Sequence, residues 1–516
     1  MVKVAIGKRN SAMKALLAIL LLVSPFFLPA QRITYSNPEQ EDGKKTNFEI
    51  IGKINGNVLV FKNNRTENAI CVYDNNMRLL NREKQDFLPE KYLNIDFIQY
   101  PDFCYMIYEI QRKNIVHCTA VKIDGMGRKM GDPVELDTTQ INFAANNKIY
   151  STIVSEDKQK IMVFKINSKN PRTFFFTSFL YNGQLELIDR HRINLAIEER
   201  GDMFSNFLVD NDGQFVFAKF MKSSSNSDYI SKVALVIKGA TADTFAIRDL
   251  GTNDRLLDDV KIKVDNNNKR YVLTGFYYKQ RKGNIEGLYT TIWDASSNSK
   301  LKETLTVFND ELRALAKSSE SNVKMAFNDY FLKNVIVQKN GGYLVVSESE
   351  YTTTRGSTFN RWDYMYGYNS FANPMDYYSS YYNPYSPYNR YGGYGNSTRY
   401  NAENILVLSF DKDGNLEWSN VIPKSQFDDD SENLISHHIV NTGGELHFLY
   451  NQFERRTQLL SDQSISPEGK LTRYPTLRNL DKGYEFMPRF GKQVSSKQIV
   501  MPCLYRNYLC FAKIDF

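Results

Sequence analysis

The chain has 516 residues, with 65 Lys and Arg against 58 Asp and Glu, which gives a formal net charge of +7. Residues 1–30 hold four of the positive charges and no negative one, so the chain without them carries +3 and shows no basic block. This near-neutral balance excludes nucleic acid and anionic membrane surfaces as expected partners.

The first predicted element is a secretory signal peptide at residues 1–30. An apolar run follows Lys14 and ends at the small residue Ala30, as in cleaved export signals. The run is too short for a membrane anchor, which needs about 20 residues, and Pro25 and Pro29 interrupt it. We expect cleavage after Ala30, a periplasmic or secreted protein, and no transmembrane segment after cleavage.

The rest of the chain, residues 31–516, is predicted to be one domain built from a four-stranded repeat. Two apolar strands precede a hairpin with an Asp-Gly or Asn-Gly type of turn, which is a strong hairpin signal. The predicted units start near Phe48, Ile95, Ile149, Met203, Val260, Leu332, Ile435 and Phe486. Four-stranded repeats of about 40–50 residues are typical of β-propeller blades. We therefore predict an all-β fold, a propeller of eight four-stranded blades, with seven as the alternative.

The strand faces favour a propeller over a β-sandwich or a helical repeat. Inner strands such as "ILVLSF" are apolar on both faces, which is expected when neighbours cover both sides of a sheet. The last unit ends at Phe516 one strand short. We expect residues 31–37 to supply that strand and to close the ring, which removes an open sheet edge.

A Tyr-, Asn- and Gly-rich insertion at residues 353–402 separates the second and third strands of the sixth unit. Thirteen Tyr lie between Tyr351 and Tyr400. Such a loop is either a solvated low-complexity segment, a platform for a protein or glycan, or the lid of an enzyme. The predicted binding residues are Trp362, Tyr364, Tyr366, Tyr377, Tyr378, Tyr381 and Tyr382.

Two other unusual connections are predicted beside the insertion, at the same end of the sixth unit. Residues 309–330 indicate a short helix capped by Asn309 or Asp310. The acidic stretch at 427–433 leads out of the unit, and its carboxylates either bind a cation, pair with arginines of the insertion or are solvated.

No catalytic residue, metal ligand or cofactor site is predicted. The adjacent His437 and His438 point to opposite faces of a strand, so they cannot chelate one metal ion. The sequence "DKDGN" at Asp411 is similar to the start of a calcium loop, but it lacks the spacing to a closing Glu and fits a hairpin turn. The five Cys lie in apolar strand patterns, and we predict buried free thiols, with Cys503 opposite Cys510.

Residues 331–452 resemble a group of uncharacterised exported bacterial β-propeller-type proteins with WD40-like repeats. The shared pattern is a Gly-Gly hairpin that ends near a Glu, a "DxDGxLxW" turn, and "IxKxQ". The matching residues here are Gly341, Gly342, Glu348 or Glu350, Gly414, Trp418, Ile422, Lys424 and Gln426. The resemblance implies a propeller and an export route, and it implies no reaction.

The sequence therefore predicts an exported, non-catalytic propeller that binds a protein or a glycan in the bacterial envelope. The alternative is a propeller enzyme, a glycan or peptide hydrolase or lyase, with its site on the insertion face. A third interpretation is a structural subunit of an envelope complex.

Overall fold

The structure is a computed structural model. It describes residues 31–39, 47–64, 67–170, 173–196, 202–222, 229–252, 255–281, 283–319, 321–354, 361, 365, 398–429, 431–454, 457–475 and 483–516. Within these ranges the fold is all-β, as predicted, with the α-helix Asp310–Ala316 and two short 3₁₀ helices, Val323–Met325 and Pro488–Phe490. None of the helices in these ranges combines the length and the apolar character needed to span a membrane.

The described strands form seven antiparallel sheets, one of which contains two successive groups of four strands joined by the single residue pair Ile230–Leu257. Each group of four is called a unit, numbered 1–8 in chain order. Units 1–4 consist of β2 (Asn47–Ile54), β3 (Asn57–Asn64), β4 (Glu67–Tyr73), β5 (Leu79–Lys84); β6 (Asn94–Gln99), β7 (Phe103–Arg112), β8 (Ile115–Asp124), β9 (Lys129–Gln140); β10 (Tyr150–Val154), β11 (Lys160–Asn170), β12 (Thr173–Asn182), β13 (Leu187–Ala196); and β14 (Asp202–Val209), β15 (Phe215–Lys222), β16 (Ile230–Lys238), β17 (Ala246–Asp249).

Units 5–7 follow the same order, with one short strand added in unit 6; in unit 8 two short strands share the first position, and the other two strands of the group are the second and third. They consist of β18 (Leu256–Asp265), β19 (Arg270–Tyr278), β20 (Gly287–Asp294), β21 (Ser299–Val307); β22 (Tyr330–Val337), β23 (Tyr343–Thr354), β24 (Thr398–Phe410), β25 (Leu416–Ile422), with β26 (Gln426–Asp428) beside β24; β27 (His437–Asn441), β28 (Leu446–Glu454), β29 (Thr457–Ile465), β30 (Leu471–Arg473); and β31 (Tyr484–Phe486), β32 (Lys492–Ser495), β33 (Gln498–Tyr505), β34 (Tyr508–Asp515).

Unit 8 takes its outer strand from the other end of the chain. Strand β1 (Arg32–Tyr35) pairs antiparallel with β34. Beyond it, the Ser36 N–H donates to the Phe511 carbonyl at 2.8 Å, and the Ser36 hydroxyl accepts the Phe511 N–H at 3.0 Å. The pairing expected for residues 31–37 is therefore present.

Successive units stand side by side with equivalent ends together. The turns between first and second strands touch: Asn55 N–H donates to the Pro101 carbonyl at 2.9 Å, Asp157 N–H to Asn211 Oδ1 at 3.2 Å, and Asn211 N–H to Asn266 Oδ1 at 2.9 Å. The first strands are neighbours too, with β2 beside β6 and β32, and β14 beside β10 and β18. This arrangement is propeller-like.

The two ends of the units differ. One end, called the turn end, holds the tight turns between strands one and two and between strands three and four. The other end, called the connection end, holds the links between strands two and three and the links between units. The turn at Asp411 is typical of the turn end: Asp411 Oδ1 accepts the N–H groups of Asp413 and Asn415 at 2.9 and 2.8 Å, and Gly414 has φ +79°. The carboxylate therefore forms the hairpin turn.

The hydrophobic core lies between units. Ile51 and Leu59 of unit 1 pack with Met106 of unit 2, and Val346 of unit 6 packs with Phe448 of unit 7. Central strands are thus buried on both faces, which explains why their sequences are apolar at consecutive positions.

Candidate functional site

The seven aromatic residues predicted to bind a partner all lie outside the described residues. Of the insertion, residues 353–354, 398–402, Arg361 and Met365 are described. Strands β23 and β24 extend into the predicted insertion as a paired ribbon that ends at Thr354 and Thr398. Strand β26 adds a third strand to this ribbon by pairing with residues 400–402. The root of the insertion is therefore regular sheet at the connection end.

Arg361 is fixed against the body of the protein. Its Nε donates to Asp258 Oδ2 at 2.5 Å, and its Nη1 donates to the Asn328 carbonyl at 3.0 Å. Its guanidinium lies 4.0 Å from the ring centroid of Phe331, a cation–π contact. Burial raises the pKa of Asp258, and the charge of Arg361 opposes that rise. Arg361 therefore anchors the first part of the insertion between units 5 and 6.

The helical connection predicted at 309–330 reaches the same ribbon. Helix α1 (Asp310–Ala316) is capped by Asn309, whose side chain accepts the Leu312 N–H. After the helix, Ser319 N–H donates to Glu403 Oε2 at 2.8 Å, and Tyr351 OH donates to Glu403 Oε1 at 3.0 Å. The helix and the root of the insertion therefore meet, as the sequence predicted.

The acidic stretch joins this group as well. Arg399 Nε and Nη2 donate to the two carboxylate oxygens of Asp429 at 2.6 and 3.1 Å. The same guanidinium lies 4.4 Å from the ring centroid of Phe427, which in turn stacks on Phe453 with 6.3 Å between centroids. Phe427 and Phe453 are 48% and 53% exposed. These two rings form an exposed aromatic pair, which sequence analysis missed because each Phe stands alone in a polar stretch.

A buried ionic cluster underlies the ribbon. Lys424 Nζ and His437 Nδ1 lie 2.8 and 3.1 Å from Glu348 Oε1, and Ser436 Oγ donates to Glu348 Oε2. Burial opposes ionisation of Glu348, but the charges of Lys424 and His437 hold its pKa well below the ordinary value. Lys424 also donates to Gln426 Oε1 at 2.6 Å. The cluster ties unit 6 to the start of unit 7.

A second chain of charges continues toward unit 8. Glu350, 1% exposed, lies 2.6 Å from Lys333 Nζ and 2.8 Å from Arg489 Nη2, and Arg489 also pairs with Glu432. Arg489 therefore links the buried Glu350 of unit 6 to unit 8, and removing one partner of a buried charge is costly.

The cluster accounts for much of the motif on which the resemblance depends. Glu348, Lys424 and Gln426 meet directly, although they are far apart in sequence. Trp418 Nε1 donates to the Pro467 carbonyl at 3.0 Å and covers Gly469, where an added Cβ would lie 2.7 Å from the indole. These residues therefore pack unit 6 against unit 7 and form no open site.

Two carboxyl groups, Glu49 and Asp96, lie on neighbouring first strands near the connection end. Burial raises the pKa of Glu49 on β2 to about 8, although Lys492 opposes this, and Asp96 on β6 adds to it. Burial likewise raises the pKa of Asp96, opposed by Lys148. Sequence analysis missed them because each is a single carboxylate in an apolar strand.

The remaining candidates for chemistry are metal-binding groups, histidines and cysteines. Among the described residues no group of three or more His, Cys, Asp or Glu is arranged to hold a metal ion. Burial, together with the neighbouring His437, lowers the pKa of His438 to about 4. All five Cys are buried and none is in a disulfide, and Cys503 lies opposite Cys510, as predicted.

No family model matches the sequence, and no curated protein matches it. Among solved structures, the chain is similar to a prolyl endopeptidase (8% identity, TM-score 0.32, 78% of this chain and 45% of that one). It is similar to prolyl oligopeptidase B from Galerina marginata (9%, 0.40, 90% and 56%) and to a PL25 ulvan lyase, a polysaccharide lyase (9%, 0.33, 80% and 90%). The chain spans about half the length of the first two. Similarity at this level carries no argument about activity.

Proposed function

We propose that this protein is an exported β-propeller whose eight units are the blades of one ring closed by β1, and that it binds a protein in the bacterial envelope through its connection end, without catalysis. The export signal supports the location. The contacts between successive units and the pairing of β1 with β34 support the ring.

The proposal depends above all on where hydrophobic side chains are exposed. Seven of the large exposed ones lie at the connection end: Phe143, Leu315, Val323, Met325, Phe427, Phe453 and Tyr508. The others lie on strands: Ile115 begins a third strand, also at the connection end, whereas Leu79, Leu80, Leu187, Ile188, Leu416 and Leu471 begin fourth strands beside the turns of the turn end. The two ends differ in exposed aromatic residues: in the described ranges the large exposed ones, Phe143, Phe427, Phe453 and Tyr508, all lie at the connection end.

This distribution favours a protein partner at the connection end. Aromatic residues and Arg are enriched where proteins bind each other, and the exposed aromatic residues of the described ranges lie at this end. Phe427, Phe453 and Arg399 provide such a combination on a ribbon that β26 makes rigid. Loops fixed on a rigid scaffold are where binding residues concentrate.

The test is the variant Phe427→Ser with Phe453→Ser. Both side chains are about half exposed, so we expect the fold to be retained. Proteins captured from the envelope fraction by the intact protein should be identified, and the strongest should be purified for measurement of its Kd. We expect the double variant to raise that Kd at least tenfold.

The matched control replaces two equally exposed residues of fourth strands, Leu79→Ser with Leu305→Ser, which are 51% and 42% exposed. We expect this control to leave the Kd within twofold. Equal Kd values for both double variants would refute the connection end as the binding surface. Capture of a glycan that depends on Phe427 and Phe453, with no protein captured, would refute the choice of a protein partner.

Catalysis is the second candidate function, and Glu49 with Asp96 favours it. A carboxyl group with a raised pKa beside a second carboxyl is the arrangement that acid–base cleavage of glycans uses. The test is release of reducing ends from a panel of polysaccharides. Turnover that Glu49→Gln and Asp96→Asn each abolish would establish the enzyme; turnover equal in all three proteins would exclude this pair.

A further inference from the structure

The first residue after the predicted export signal contacts a buried carboxylate. Strand β1 pairs Arg32 with Asp515 of β34, so the antiparallel register places Gln31 opposite Phe516. There the Gln31 side-chain amide donates through Nε2 to Asp462 Oδ2 on β29 of unit 7. Gln31, the expected first residue of the cleaved chain, therefore joins the strand that completes unit 8 to unit 7.

Asp462 is a buried acid with little opposite charge around it. Its side chain is 0% exposed, and among the described residues it forms an ion pair only with His447, whose Nδ1 lies 3.0 Å from Oδ2. The His447 ring is enclosed by Tyr474 and Phe516, with 5.5 and 4.7 Å between ring centroids. A neutral imidazole donates a hydrogen bond but brings no charge. Because a buried charge is unfavourable unless it is paired, this place favours a further positive group.

Cleavage after Ala30 supplies such a group. Hydrolysis of the Ala30–Gln31 peptide bond consumes one water molecule, leaves a carboxylate on Ala30, and converts the backbone nitrogen of Gln31 into an α-ammonium group. Only the glutamine side chain separates this nitrogen from Nε2, so the two lie within roughly 6 Å of each other. The uncleaved chain has a neutral peptide nitrogen at the same position. Cleavage therefore adds a positive charge close to Asp462, where burial reduces screening by salt.

We propose that removal of the export signal completes the closure of the ring, because the new α-ammonium group of Gln31 pairs with Asp462 and holds β1 against units 7 and 8. The proposal rests on the proposed export and on cleavage after Ala30. It makes the cleaved chain more stable than the same chain with extra residues in front of Gln31.

The pairing has a signature in its pH dependence. An α-amino group ordinarily has a pKa of about 8, and Asp462 should raise it. The added stability is therefore fully present below about pH 8 and is lost as pH rises through the raised pKa. The other titratable or charged groups around this place are His447, Glu445, Tyr450, Tyr474, Arg32 and Asp515. They are identical in the cleaved and the extended chain, so the difference between the two chains isolates the α-amine.

The test compares two purified proteins. One is residues 31–516 with a free Gln31, and the other carries Gly-Ser-Gly-Ser in front of Gln31. At pH 6.5 the free chain should melt about 1 °C higher, as expected for a pKa raised by about one unit in a chain of this length, and this difference should disappear by pH 10.

The second measurement is the rate at which an amine-reactive ester acylates the Gln31 α-amine at pH 7, followed by mass spectrometry. Only the unprotonated amine reacts, so the rate should be at least fivefold lower in the folded free chain than in its Asp462→Asn variant, and equal for both in urea. The matched control is Asp515→Asn, which removes the carboxylate opposite Arg32 and should change the rate less than twofold. The form whose Gln31 has cyclised with loss of ammonia lacks the α-amine and should melt like the extended chain.

The proposal is wrong if the difference in Tm is absent or is the same at pH 6.5 and pH 10, or if the folded Asp462→Asn variant is acylated at the rate of the unaltered protein. The comparison of the two chains needs no substitution, so it decides the question even if Asp462→Asn does not fold. N-terminal sequencing of the exported protein tests the cleavage site separately. A start at another residue would overturn the expected cleavage, and the purified chains distinguish that failure from a failure of the pairing.

Discussion

Deletion of residues 32–36 tests whether β1 closes a ring. The deletion removes the strand that pairs with β34, and it also removes Ser36, which is 2% exposed and bonded to Phe511. An open sheet would lose only its last strand. A closed ring would also lose the contact between the two ends of the chain, so unit 1 should be affected as well.

The expected loss follows from what β1 buries. Ile33 and Tyr35 are partly buried, so they contribute roughly 1.5 kcal/mol each. About five backbone and Ser36 hydrogen bonds contribute roughly 1 kcal/mol each, and ordering five residues costs roughly 1–1.5 kcal/mol each. The deletion should therefore lower the free energy of unfolding by about 2 kcal/mol. At about 2.1 cal/mol/K per residue, the Tm of a chain of this length should fall by about 2 °C.

Calorimetry should measure the Tm, and hydrogen exchange should measure the protection of β34 and of unit 1. We expect one transition at the lower Tm, and faster exchange in β34 and in unit 1, whose Lys62 and Tyr73 both contact Glu39 just beyond β1. The control Arg32→Gln changes an exposed residue and should change neither quantity. Unchanged Tm and unchanged protection of β34 after the deletion would refute closure.

Three further outcomes are expected. Burial raises the pKa of Glu109 to about 8, so the free energy of unfolding should fall as pH rises from about 4.5 to about 8. In urea titrations, Glu109→Gln should reduce the difference in free energy of unfolding between pH 5 and pH 8 by about 3 kcal/mol. An unchanged pH dependence would contradict this. Lys424→Met should cost about 3–5 kcal/mol, and adding Glu348→Leu should recover part of it; a further loss in the double variant would contradict the buried pair. Alkylation mass spectrometry should find five free thiols, and a Cys503–Cys510 disulfide would overturn that prediction.

The repeat was predictable because each hairpin is determined by residues that are close together in the sequence. Each predicted unit start lies within four residues of an observed first strand, since an apolar run followed by a turn residue such as Asp411 determines a hairpin without help from the rest of the chain. The N-cap of α1 at Asn309 was equally local. Unit 8 departs from this because Pro488 has no N–H to donate, so its first strand is interrupted by a 3₁₀ helix between β31 and β32.

The site was less predictable because its parts are distant in sequence. The sequence around Arg361 does not indicate that its guanidinium will bond to Asp258. The sequence around Phe427 does not indicate that its ring will stack on Phe453. Strand β26 was expected as part of a loop, because three residues with one apolar side chain give no strand signal. The seven predicted aromatics lie outside the described residues, so their role stays a prediction.

The position of the buried charges suggests why unit 6 can accept a long insertion. Apolar contacts between units are not directional, and they tolerate small shifts of one sheet against the next. The contacts that leave unit 6 are different, because Glu348 is bonded to Lys424 and Ser436, and Glu350 to Arg489 of unit 8. Each of these buried charges would be left unpaired by a shift of one residue, which is strongly unfavourable. The ribbon at the root of the insertion is therefore held in one position relative to units 7 and 8. A binding surface made of Phe427 on the ribbon and Phe453 on unit 7 requires such a fixed position.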